Sequence, residues 1–101
     1  MDNKKHILIV EDEVELALST IHFLQNNNFR CTHSSTIQSA LKEIKNNHFH
    51  AALLDLGLPD GDGLVLIKEL KNKNQETGVI IVSAKDNLNQ KVNALELGAD
   101  D

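Results

Sequence analysis

Two groups of acidic residues stand directly after apolar runs. Glu11 and Asp12 follow Ile7, Leu8, Ile9 and Val10, and Asp55 follows Ala51, Ala52, Leu53 and Leu54. Short apolar runs of this kind read as strands buried on both faces, so each carboxylate sits where a strand stops. If the two strands are parallel neighbours, their ends gather three negative charges in one crevice. Two such charges about 4 Å apart repel by roughly 4 kcal/mol at an effective dielectric of about 20, and a hard divalent cation is the usual reason for a fold to keep them. Carboxylates without histidine or cysteine partners favour Mg²⁺, Mn²⁺ or Ca²⁺ over zinc, because hard cations prefer oxygen. A carboxylate at the centre of such a site can act as a nucleophile toward phosphorus while the metal neutralises charge on the transferring oxygens. Asp55 suits that role better than the paired acids, since it stands alone before a loop whose Gly57 lets backbone approach a metal closely. Ser83, after the apolar run Val79 to Val82, offers a hydroxyl to a phosphoryl oxygen. The plainer readings are that Glu11 and Asp12 are first-turn helix acids favoured by the macrodipole, and that Ser83 is a loop serine.

The elements that must position these groups are legible in the periodicity. Residues 6 to 10 form the first buried strand. From Val14 the apolar positions Val14, Ala17, Leu18, Ile21 and Leu24 repeat at three and four, and Asn26, Asn27 and Asn28 end that helix with residues that tolerate left-handed conformations. Phe29 to Ser34 reads as a second strand. Ser35 with Gln38 forms a capping box for a second helix, whose Ile37, Ala40, Leu41 and Ile44 share one face up to Asn46 and Asn47. A strand at 50 to 54, a loop rich in Gly, Pro and Asp at 56 to 63, and a helix with Leu64, Ile67 and Leu70 inward come next, with Asp62 as the N-cap. Val79 to Val82 is a fourth buried strand, and Leu88, Val92 and Leu95 mark a fourth helix that Gly98 terminates. Strict alternation of strand and helix predicts a doubly wound parallel α/β sheet with right-handed crossovers. Ligands of such sheets bind at the carboxyl ends of the strands, where both acidic groups and Ser83 fall.

Length and charge narrow the function classes. A chain of 101 residues is one domain with a single core. Its 10 basic and 15 acidic residues give a formal charge of −5, which argues against unaided binding to nucleic acid or an anionic membrane. The single cysteine, Cys31, cannot form an internal disulfide and reads as a half-buried small residue. The first apolar run is too short for a signal h-region or a membrane span, so a cytoplasmic location is expected.

The chain resembles the receiver domain of two-component response regulators. The resemblance rests on the strand ending in Glu11-Asp12, the segment Leu53-Leu54-Asp55-Leu56-Gly57-Leu58-Pro59-Asp60-Gly61-Asp62-Gly63, the run Val79-Ile80-Ile81-Val82-Ser83-Ala84-Lys85, and Ala94-Leu95-Glu96-Leu97-Gly98-Ala99-Asp100-Asp101. It covers essentially the whole chain and implies a flavodoxin-like fold. It further implies that Asp55 accepts a phosphoryl group from a sensor histidine kinase. Asp12, Asp55 and the Gly57 carbonyl would bind Mg²⁺, with Mn²⁺ as the alternative and Glu11 acting through water. Ser83 would be the hydroxyl switch, turning toward the phosphoryl group and rearranging the loop and helix after strand four. Such a domain is a phosphoacceptor that assists its own phosphorylation and dephosphorylation rather than an enzyme. The loop from Asp55 to Gly63 looks most like that of transcription regulators with a winged-helix output.

Receiver domains of this pattern continue into a fifth strand carrying a lysine and then a fifth helix, whereas this sequence stops at Asp101. By typical element lengths about 20 residues of the fold are absent, and Lys85 lies too close to Ser83 to serve as that lysine. The sequence thus predicts a sheet truncated after the fourth strand-helix unit, an exposed edge on strand four, and self-association or domain swapping of the chain. Two rival readings carry less weight. An EF-hand frame from Leu58 places Asp60, Asp62, Gly63 and Glu69 suitably but fails at its first ligand. An aspartyl phosphatase needs a second acid two residues after Asp55, where Gly57 stands. The five histidines read as scattered surface residues.

Overall fold

A computed structural model describes residues 4–82 together with Gly98 and Asp100. The elements are β1 (His6–Val10), α1 (Val14–Asn26), β2 (Arg30–Ser34), α2 (Ile37–Asn46), β3 (Ala51–Leu54), α3 (Leu64–Lys73) and β4 (Gly78–Ile81). The four strands form one parallel sheet in the order β2-β1-β3-β4. The alternation expected from sequence is therefore present through β4, and the fourth helix expected around Leu88, Val92 and Leu95 lies outside the described residues. Gly98 has φ +120, a conformation that glycine adopts far more readily than other residues.

β1 is central and all five of its residues are buried. Alternation along the strands sends Leu8, Val10, Ala52, Leu54 and Val79 to one face, where they join Ile37, Ala40 and Ile44 of α2 and Leu66, Ile67 and Leu70 of α3 in one apolar cluster. Ile7 and Ile9 take the opposite face, on which α1 buries Ala17. The register aligns Val10 with Leu54, so the residues after β1 and after β3 emerge side by side.

Several local expectations shift. In α1 the sheet-facing stripe is narrower than predicted, since Val14 and Leu18 are largely exposed, as are Leu16 and Phe23. In α3, Leu66 is fully buried and Leu64 is half-buried against the same core, so the inward face is wider than predicted. The Ser35 capping box does not form: Thr36 is the N-cap, its hydroxyl accepting from the Ser39 N–H at 3.1 Å. Asp62 is not the N-cap of α3, which is Gly63, but its carboxylate still accepts the Leu64 N–H at 3.0 Å. Of the three asparagines that close α1, Asn28 alone is left-handed, at φ 71.

β4 is the outer strand among those described, and Ile80 and Val82 are exposed rather than buried as predicted. Its outward backbone is not left bare. Asp100 brackets Val79, donating its N–H to the Val79 carbonyl and accepting the Val79 N–H on its carboxylate, both at 2.8 Å. Lys71 of α3 completes the contact with an ion pair to Asp100 at 3.2 Å.

Candidate functional site

The carboxyl ends of β1 and β3 carry the site. Backbone hydrogen bonds continue past both strands: the Glu11 N–H donates to the Ser34 carbonyl at 3.0 Å and the Asp55 N–H to the Val10 carbonyl at 2.9 Å. These bonds hold the two acidic positions in strand register. As a result Glu11, Asp12 and Asp55 each present a carboxylate oxygen within 4.8 Å of the others. Glu11 is buried, Asp55 half-buried and Asp12 exposed. The plainer reading of Glu11 and Asp12 as first-turn acids does not hold, because α1 begins only at Val14.

The electrostatics are those of a crowded acid pair facing a third charge. Burial, then the hydrogen bond and repulsion from the Asp55 carboxylate, push the Glu11 carboxyl up to about 7, against the Glu13 N–H that favours its ionised form. That N–H reaches Glu11 Oε2 at 3.2 Å, so Glu11 also shapes the turn into α1. The Asp55 carboxylate accepts the Gly57 N–H at 3.0 Å, an Asx-type turn that starts the next loop.

The loop after Asp55 is pinned from both sides. Leu56 and Leu58 are buried in the apolar cluster. Gly63 lies so close to Leu56 that a Cβ there would meet the Leu56 backbone at 3.2 Å, a tight contact that Leu56 would have to yield to. The Asp60 carboxylate accepts the Ile37 N–H at 2.9 Å and the Gln38 N–H at 3.2 Å, at the start of α2. The Ile37 and Gln38 N–H groups hold the Asp60 carboxyl below its ordinary value. Asp60 and Asp62 thus each serve a helix N-terminus, which contradicts the EF-hand frame.

Of the residues predicted for the site, Glu11, Asp12 and Asp55 come together, Gly57 lies beside Asp55, and Ser83 lies outside the described residues. Two neighbours escape a reading of the sequence. His33 donates from Nε2 to the Glu11 carbonyl at 2.8 Å, since a carbonyl oxygen can only accept. Asp60 enters that reading only as part of a calcium frame. The signal that could have found it is an aspartate in a Gly-rich loop near a helix start with free N–H groups, but nothing local says which helix.

The donor set fits a hard divalent cation. Three clustered carboxylates supply oxygen alone, the ligand type Mg²⁺ and Mn²⁺ prefer.

Fold and site together define a receiver module, and comparison with known proteins agrees. The family model described as response regulator receiver domain matches residues 7–101, and the chain belongs to that family. It is similar to the transcriptional regulatory protein BasR of Escherichia coli (strain K12), with 37% identity over 95 residues, covering 94% of this chain and 43% of the relative. A CheY-like response regulator receiver domain protein from Methanospirillum hungatei JF-1 superposes with a TM-score of 0.92 at 31% identity, over 97% of this chain and 78% of that one. The beryllofluoride-activated NtrC4 receiver domain dimer gives a TM-score of 0.86 at 28% identity, over 95% and 79%. The chain spans less than half the length of the curated relatives it matches. No helix among the described residues is long and apolar enough to cross a membrane.

Proposed function

We propose that this chain receives a phosphoryl group on Asp55, with a divalent cation held by Asp12, Asp55 and the Gly57 carbonyl and with Glu11 acting on it through water. The observation that carries this reading is the meeting of three carboxylates at the carboxyl ends of adjacent parallel strands. The proposed donor is a phosphohistidine of a sensor kinase. An Asp55 carboxylate oxygen attacks phosphorus, a P–O bond forms, and the P–N bond breaks with its electron pair passing to the imidazole nitrogen. When bound, Mg²⁺, or Mn²⁺ in its place, neutralises charge on the phosphoryl oxygens.

The chain's own residues supply position. The Gly57 N–H holds one Asp55 oxygen, and the Val10 carbonyl fixes the Asp55 backbone. Ser83, one residue beyond Val82, is proposed as the hydroxyl that turns toward the phosphoryl group. Because Val82 donates to the Leu54 carbonyl at 2.8 Å, a change at Ser83 would be felt at the end of β3. We read residues 1–101 as the receiver part of a response regulator that works in the cytoplasm, assists its own phosphorylation and dephosphorylation, and controls transcription. The resemblance to BasR supports that output. The dimer of the NtrC4 receiver domain supports self-association as one response to phosphorylation, and the net charge of −5 disfavours direct nucleic-acid contact by this segment.

Incubation of the full-length protein with acetyl phosphate and Mg²⁺, followed by intact mass measurement, tests the proposal. The expected result is a gain of one phosphoryl group that disappears in Asp55→Asn. No gain in the wild-type protein, or an equal gain in the variant, overturns it.

A further inference from the structure

Both halves of the acidic site run back to one structural element, the first turn of α2. On one side the Glu11 N–H is bonded to the Ser34 carbonyl, and the Ser34 hydroxyl accepts from Ser39 of α2 at 3.2 Å. On the other side the loop that leaves Asp55 is fastened to the same turn by Asp60, through the N–H groups of Ile37 and Gln38. We infer that Asp60 is a positioning residue for the site, clamping the loop from Asp55 to Gly63 onto α2 so that Asp55 and Gly57 keep their places beside Glu11 and Asp12. The inference rests on the reading of those residues as a divalent-cation and phosphoryl site.

The physical case has three parts. First, Pro59, Asp60, Gly61 and Asp62 form the exposed crest of the loop, beyond the reach of the buried Leu56 and Leu58 anchors. Within it, Asp60 ties the loop to α2 and Asp62 ties it to α3. Second, both oxygens of Asp60 are engaged, and they satisfy two of the N–H groups that the start of a helix leaves without intrahelical partners. The contact is charge-assisted and aligned with the α2 dipole, so it is directional rather than a loose surface ion pair. Third, a metal or phosphoryl site tolerates little displacement. Supports behind metal ligands cost about 10- to 100-fold in affinity when removed, although they never touch the ion.

The test separates positioning from mere support of α2. The Thr36 hydroxyl caps the same helix end through the Ser39 N–H but does not touch the loop. Mg²⁺ affinity is measured by calorimetry on the full-length wild type, Asp60→Ala, Asp60→Asn and Thr36→Val, well below their unfolding temperatures, and the rate of phosphorylation by acetyl phosphate is followed in parallel. Asp60→Ala is expected to weaken Mg²⁺ binding about tenfold and to slow phosphoryl transfer. Asp60→Asn, which keeps one acceptor oxygen, is expected to recover part of both. Thr36→Val is expected to lower the unfolding temperature and leave Mg²⁺ affinity as in the wild type. Equal Mg²⁺ affinity in Asp60→Ala and wild type overturns the clamp and leaves the site intact. Equal weakening in Thr36→Val also overturns it, because the effect then tracks helix stability. A wild type that binds no Mg²⁺ and gains no phosphoryl group overturns the site and the clamp together.

Discussion

At the amino ends of β1, β2 and β3, buried polar groups are matched donor to acceptor, while at the carboxyl ends of β1 and β3 like charges face one another. His6 shows the first condition. It is buried against Phe49, with ring centroids 4.5 Å apart, and its Nδ1 lies 3.3 Å from an Arg30 nitrogen. A guanidinium can only donate, so Nδ1 holds a lone pair and Nε2 donates to the Thr32 hydroxyl at 2.6 Å. The His6 N–H in turn donates to His50 Nδ1 at 3.0 Å, and the Thr77 hydroxyl to the Phe49 carbonyl at 2.9 Å. Of the histidines expected on the surface, His6 is buried instead, while His48 and His50 are exposed and lie edge to face at 5.0 Å. One end of the sheet stabilises the fold, and the other keeps a costly charge cluster that a cation can relieve. The proposed site occupies the end where stability is given up.

Four substitutions would break or sharpen that contrast. The largest effect is expected from Asp12→Ala, which removes a proposed ligand: Mg²⁺ affinity measured by calorimetry should fall at least about 100-fold, while the metal-free protein should not become less stable. A loss of metal-free stability would show that the acidic end also supports the fold. His6→Ala is expected to do the reverse. It should cost about 2 to 3 kcal/mol in urea unfolding, from a lost buried ring and unmatched partners, with Mg²⁺ affinity unchanged in the folded protein.

The two ends should also answer pH with opposite signs. Burial first, then the Arg30 guanidinium, lowers the His6 pKa below the ordinary 6.5. The unfolded chain then takes up the proton first, so the His6 contribution is complete above pH 6.5 and is lost as pH falls through the lower folded value. The Glu11 pKa is instead raised to about 7, so the metal-free fold gains from this group as pH falls from above 7 toward the ordinary carboxylate range, and loses it as pH rises. Glu11→Gln should remove the second slope and leave the first. Urea unfolding of metal-free protein across about pH 5 to 8 reads both, and slopes of one sign in wild type and variant would dissolve the contrast.

The smallest effect is expected at the far end of α2. The Lys73 ammonium caps the last carbonyls there, reaching Ile44, Asn47 and Lys45 at 2.5, 2.6 and 3.2 Å. Lys73→Met should cost about 1 kcal/mol in urea unfolding without altering Mg²⁺ affinity. A change in affinity would mean that α2 transmits strain along its length.

Much of the molecule is legible in the sequence, and for a local reason. Apolar runs at 7 to 10 and 51 to 54 announce parallel strands, and Glu11, Asp12 and Asp55 announce a candidate site by standing where those runs stop. Such signals need only neighbouring residues. The departures are also local: the cap of α2 falls on Thr36 instead of Ser35, because propensity places a helix start only to within a residue or two, and Leu66 joins Leu64, Ile67 and Leu70 on the inward face of α3.

Sequence by itself determined the alternation of elements, the identity of the acids and the end of the sheet on which they lie. Tertiary structure alone decided which residues answer one another across the chain. Asp60 meets Ile37 from 23 residues away and the His6 N–H meets His50 from 44 away, pairings set by strand order and register. The carboxylates converge for the same reason: Val10 and Leu54 are partners in the register of β1 with β3, and a slip of one residue would turn every side chain on the strand to the other face.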